Sequence, residues 1–265
     1  DICHAESSKR VMALFGGIIF TASKILLSAS VSIAGMSVAF PLGVGLALVL
    51  GVFINYFGAQ KGDPVTLFLG VAFVVIAIVL NGIAASKKPA SANESKRGKT
   101  GIWLAAFAGI LMSCFYRFVA AAMDLENFES PTAGMITPYT AFFVFAVGVF
   151  ASNFLFNTIV MKKPFVGSPV SYKEYFSGSF GTHMVGVFGG VVWALGTLLS
   201  YVAAGKAGAA VSYALGQGAP MIAALWGILI WKEFKGIPRS ANIYLGLMFV
   251  LFALGLMFLI WPGAS

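Results

Sequence analysis

Charge is scarce in this chain. Asp, Glu, Lys and Arg together make up 10% of its 265 residues, against about a quarter in soluble domains. Acids are the rarest, nine in all, and none lies in the middle of an apolar run. Cysteine is nearly absent: Cys3 and Cys114 provide no disulfide framework. The two histidines, His4 and His183, are far apart, which argues against the clustered His/Asp or Ser/His pairs of a membrane acyl or lipid transferase. It also leaves no metal-ligand constellation. The net charge of +8 comes from Lys and Arg between apolar runs. It therefore reports orientation across a bilayer rather than a nucleic-acid surface.

Apolar residues fill the space that charge leaves, at 59% of the chain. A water-soluble core cannot absorb that much apolar surface, so the chain is read as an all-α, polytopic integral membrane protein. About 20 apolar residues cross a bilayer as helix, and the segment must be helical because its backbone groups find no partners in hydrocarbon. Eight candidate spans result: 11–31, 34–57, 65–84, 102–123, 138–160, 183–204, 207–231 and 242–261. Glycine recurs within them, and small residues let membrane helices approach closely.

Three of these spans match three others. A shift of 173 residues aligns Phe15-Gly16-Gly17 with Phe188-Gly189-Gly190, Ala34-Gly35 with Ala207-Gly208, and Leu42-Gly43 with Leu215-Gly216. Ten of the 31 positions from 15 to 45 are identical, against about three expected from ordinary residue frequencies. A shift of 176 pairs 65–80 with 241–256. From Gly101 onward, 87 residues precede Phe188, whereas only 14 precede Phe15. Equal halves would place about 73 further residues, two spans and a loop, ahead of Asp1. The expectation is a ten-helix bundle of two five-helix repeats, here with eight helices and the first two missing. An odd number of helices per repeat gives the halves opposite orientation, the inverted-repeat plan of secondary transporters. Residues 1–84 form the rest of the first repeat, 85–101 a basic linker, and 102–265 the second repeat.

Segments 85–101, 161–181 and 232–241 carry eleven of the Lys and Arg residues. The positive-inside rule puts these loops in the cytoplasm and both chain ends outside, in a bacterial-type cytoplasmic membrane. Within the linker, Asn93-Glu94-Ser95-Lys96-Arg97-Gly98-Lys99-Thr100 fits a phosphate-loop pattern except for its first position. Such a loop needs a strand before it and a Mg-binding acid nearby. Neither is present, so the segment reads as a solvated linker and no ATPase is implied.

Polar residues inside the spans mark candidate contacts to a small-molecule solute. Lys24 lies deep in the first span, where an ammonium needs a partner or water; its repeat counterpart is Thr197. Tyr213 and Gln217 share a helix face, four residues apart. The helix breakers Gly216, Gly218 and Pro220 surround Gln217, and Pro220 frees carbonyls to accept from a ligand. The equivalents in the first copy are Phe40 and Val44, next to its own breaker, Pro41. Asn153 offers amide contacts, and Trp193 with Thr197 offers a stacking face and a hydroxyl. Each of these residues has a competing role in helix packing. Arg117 lies near the outer end of its span, within reach of the Asp124/Glu126/Glu129 loop. No carboxylate sits mid-helix, so a coupling proton or sodium ion is left open, and no cofactor is expected.

Tyr139-Thr140-Ala141-Phe142-Phe143, the paired Phe-Gly-Gly starts, and Ala224-Leu225-Trp226-Gly227 followed by Trp231-Lys232-Glu233 resemble the drug/metabolite transporter superfamily. Within it the chain looks most like the ureide permease family and the neighbouring glucose/ribose porter family. The resemblance implies ten helices in inverted repeats and import of a small neutral polar solute, a ureide or nucleobase in the first case and a sugar in the second. A multidrug or metabolite exporter fits the polar Tyr213/Gln217 face less well. Whether the protein is a monomer or a homodimer is left open.

Overall fold

The computed structural model describes residues 5–59, 63–87, 92–127, 130–216 and 218–261. These residues form ten helices: α1 (Ser7–Ala34), α2 (Met36–Ala59), α3 (Pro64–Ser86), α4 (Ala92–Ala120), α5 (Pro138–Lys162), α6 (Tyr172–Phe176), α7 (Phe180–Ala207), α8 (Ala209–Gly216), α9 (Ala219–Leu229) and α10 (Arg239–Ile260). Seven of them (α1–α5, α7 and α10) are long and apolar enough to cross a membrane. The span expected at 207–231 is interrupted. It is built from α8 and α9, with Gly218 as the N-cap of α9 and the proline at its first turn. Proline has no amide to donate, so it suits a helix start and ends a helix that tries to run through it.

Helix ends follow local chemistry. Asp63 accepts from the Thr66 amide (2.9 Å) ahead of Pro64 at the start of α3, and Thr137 accepts from Thr140 (3.2 Å) ahead of Pro138 at the start of α5. Ser171 and Glu174 form a reciprocal capping box on α6. Helices α1 and α7 are both 28 residues long, and α7 begins and ends 173 positions after α1, at 180 against 7 and at 207 against 34. Both end on a glycine with the same left-handed backbone, Gly35 at φ 85° and Gly208 at φ 84°, and in each case the glycine amide donates to the carbonyl four residues back. A side chain at either position would be strained, because φ near +85° crowds a Cβ.

One buried core joins α1, α4 and α5, and a second joins α2, α3 and α10. Helix α2 links them by packing on α4 on one side and on α3, α8 and α9 on the other. Two junctions bring backbones into contact. A Cβ at Gly17 would lie 2.3 Å from the Phe145 carbonyl oxygen of α5, and one at Gly148 the same distance from the Leu14 carbonyl of α1. Gly70 of α3 and Gly255 of α10 face each other in the same way, 2.8–2.9 Å from the opposing carbonyl. Helix α7 is different. Phe188 is 71% exposed, and a Cβ added to Gly189 or Gly190 would meet nothing within 4 Å.

On one side of the bundle, the carboxylate of Glu233, in the α9–α10 connection, sits on the first turn of α2. It accepts from the Met36 amide (2.9 Å), the Ser37 amide (2.9 Å) and the Ser37 hydroxyl. The Ser37 carbonyl in turn accepts from buried Asn81 of α3 (2.8 Å). Gly227 makes room for this carboxylate, since a Cβ there would lie 3.1 Å from Oε1. On the other side, the α4–α5 connection folds around Asp124. Its carboxylate accepts from the amides of Glu126, Asn127 and Thr132 and from the Thr132 hydroxyl, at 2.8–3.1 Å. These donors hold its pKa down at about 2, with the Thr132 amide contributing most. The loop therefore consumes Asp124. Arg117 packs instead against Gly58 in the last turn of α2, where a cation suits the helix end; among the described residues no carboxylate pairs with it. Residues 92–101 are the start of α4 rather than linker, so the phosphate-loop-like segment has helical backbone. Glu129 lies outside the described residues.

Candidate functional site

A cavity of about 500 Å³ opens where α1, α2, α4, α7 and α8 converge, within the size range of small-molecule sites. Its walls are mainly aromatic. Phe20 of α1 and Trp193 of α7 stack on each other with centroids 4.9 Å apart and planes 24° apart. Phe115 and Tyr116 of α4, Tyr201 of α7 and Tyr213 of α8 continue the lining, with Tyr116 edge-on to both Tyr201 and Tyr213. Several lining residues come in pairs 173 positions apart: Phe20 with Trp193, Lys24 with Thr197, and Phe40 with Tyr213. The aromatic stack is one such pair in direct contact.

Four residues expected from sequence to touch a solute border this cavity: Lys24, Trp193, Thr197 and Tyr213. Lys24 stands one turn from Phe20, its ammonium 5.0 Å from the ring centroid. It has no hydrogen bond or ion pair among the described residues, and an unpaired ammonium at mid-span costs about 2.5–3.5 kcal/mol. The Thr197 hydroxyl donates to the Trp193 carbonyl (2.9 Å), leaving its lone pairs facing outward as acceptors. Tyr213 presents its ring, but its hydroxyl is already engaged. It donates toward the carbonyls of Ala47 (3.0 Å) and Met112 (3.2 Å), tying α8 to α2 and α4.

The remaining expectations divide. Gly216 lines the cavity, and Pro41 follows the lining residue Phe40 within α2. Gly218 is the N-cap between α8 and α9 and does not border the cavity; Pro220 lies in the first turn beyond it. Gln217 lies outside the described residues. Asn153 does not border the cavity: it is exposed on α5 and accepts from Asn157 (2.8 Å) one turn on. Sequence reasoning missed Phe20, Tyr116, Ser200 and Tyr201. The signal was there: Trp193, Thr197 and Tyr201 form one stripe at four-residue spacing, as do Phe20 and Lys24. The buried Tyr201 hydroxyl has no hydrogen-bond partner among the described residues.

Among the described lining residues there is one cation and no carboxylate, and the other polar side-chain groups are hydroxyls and the Trp193 indole N–H. A multi-pass helix bundle with an aromatic, hydroxyl-bearing cavity between its helices has the build of a membrane transporter, and the comparisons with known proteins agree. The ureide permease family model matches residues 83–261, and the chain belongs to that family. It is 24% identical to ureide permease 4 of Arabidopsis thaliana over 91% of this chain and 75% of that protein. Against ureide permease 5 of the same plant it is 24% identical over 93% and 74%. It is also 25% identical to a probable glucose uptake protein of Priestia megaterium, over 84% of this chain and 70% of that one. These relatives are permeases and uptake proteins, not enzymes. No solved structure matches the chain.

Proposed function

We propose that the chain is the core of a secondary transporter that carries a small, ring-bearing polar solute, of the ureide or nucleobase kind, by alternating access. The observation that carries this reading is the placement of the cavity. Residues 173 positions apart line it in pairs, so a solute there touches both copies of the repeat. Central sites between repeats that rock against each other are how such carriers work. In this reading α1–α3 and α4–α10 are inverted repeats. The basic loops are cytoplasmic. Coupling to a proton or sodium gradient belongs to the same proposal.

The chain's similarity to a probable glucose uptake protein favours a second reading, a sugar porter with the same architecture. Uptake of labelled uracil, allantoin and glucose into proteoliposomes separates the two. The ureide or nucleobase reading expects saturable uracil or allantoin uptake, with glucose at background. Trp193→Ala should reduce that uptake by at least about tenfold, because ring stacking and area burial both vanish. Glucose uptake alone would establish the sugar porter. Uptake that ignores Trp193→Ala would remove the cavity from the mechanism. Imposing a pH or sodium gradient in the same vesicles identifies the coupling ion.

A further inference from the structure

Lys24 is the unexplained charge in this site. It is the one charged side chain among the described lining residues, and the contact it makes is with the Phe20 ring, at 5.0 Å. The described carboxylates all lie at helix ends or in connections. Glu6, Asp63 and Glu174 sit at or beside helix starts. Asp124 and Glu126 belong to the α4–α5 loop, and Glu233 is committed to α2. An ammonium facing a low-dielectric cavity with no counter-charge favours a ligand that brings one, because charge-assisted bonds form most strongly where water is excluded. The Tyr201 hydroxyl, buried, without a hydrogen-bond partner among the described residues and part of the same wall, supplies a second donor. Phe20 and Trp193 supply a flat aromatic surface next to the ammonium.

We propose that Lys24 makes this cavity selective for a planar ring that carries a carboxylate. The ring lies against the Trp193 side and the carboxylate meets the Lys24 ammonium. The proposal rests on the transport reading above and narrows it, from any small ring-bearing polar solute to an anionic one.

Orotate and uracil test this directly, since they share one pyrimidinedione ring and differ by a carboxylate. The full chain is reconstituted into proteoliposomes, and uptake of each labelled compound is measured at neutral pH. The expected result is an orotate-to-uracil ratio of at least about ten, the value of one charge-assisted hydrogen bond. Lys24→Met should bring the ratio down to about one, and Lys24→Arg, which keeps the charge, should retain a ratio well above one. Equal handling of the two compounds by the wild type, or a Lys24→Met protein that still prefers orotate, overturns the proposal. Trp193→Ala separates this failure from failure of the transport reading. If uracil is carried in a Trp193-dependent way without any preference for orotate, only the charge selectivity falls. If orotate, uracil and allantoin all stay out, both fall; allantoin uptake without orotate uptake sinks the charge selectivity alone.

Discussion

Removing the Glu233 carboxylate should loosen the start of α2 measurably. One side chain satisfies two amides of the first helical turn and one hydroxyl. It also sets a negative charge at a helix N-terminus, where about 0.3–1 kcal/mol is gained from the dipole alone. Losing an N-terminal side-chain acceptor costs about 0.5–2 kcal/mol. Glu233 is only partly buried, so water re-solvates some of the freed amides. Taken together, Glu233→Ala should cost about 2 kcal/mol. At roughly 2–4 °C per kcal/mol for a chain of this size, the melting temperature in detergent should fall by roughly 4–8 °C. Glu233→Gln keeps an acceptor but not the charge, and should lose about half as much. Ser37→Ala removes one of the three bonds, worth under about 1 kcal/mol. The double variant should be no worse than Glu233→Ala, because both changes act on one network. A Glu233→Ala protein that melts within about 1 °C of the wild type refutes the argument.

Three further outcomes follow from the packing. Gly17→Ala puts a methyl group 2.3 Å from a carbonyl oxygen of α5 and should cost at least about 1–3 kcal/mol. Its repeat counterpart Gly190→Ala enters open space and should be neutral or up to about 1 kcal/mol stabilising; equal melting shifts for the two would contradict the described packing. Asp124 is held at about pKa 2 by its loop donors, against about 3.9 when unfolded. Its contribution is present above pH 4 and disappears as the pH falls toward 2. The melting difference between wild type and Asp124→Asn should therefore shrink over that interval. Asn153→Ala, on the exposed face of α5 away from the cavity, should leave solute uptake within about twofold of wild type.

Much of the fold was legible because bilayer physics leaves few choices. Long apolar runs must be helices, and α1 and α7, which carry the repeated Phe-Gly-Gly, have the same length and end on the same glycine geometry. The interruption near Pro220 was also visible, although counting 207–231 as one span hid its consequence, two short helices in place of one long one. The lining of the cavity was half legible. A lysine inside an apolar run has few places to go, and Lys24 borders the cavity. So do Trp193 and Thr197, singled out by their spacing, and Tyr213, singled out beside the helix breakers. Asn153 and Asn157 have the same spacing, but periodicity shows only that two residues share a face, not which way that face points. Phe20 and Tyr201 look like ordinary packing until the helices that surround them are in place. Glu233 belonged to the motif that suggested the family, yet its role needed Gly35, Ser37 and Gly227 brought together from distant parts of the chain.

The Phe20–Trp193 stack has a mechanical consequence. Two rings with centroids 4.9 Å apart are already in van der Waals contact, so no third ring fits between them. A flat solute can lie against the outer side of Trp193, or it can enter as a wedge and push α1 and α7 apart. In the second case binding and movement are one event: the wedge that enters the cavity also parts α1 from α7.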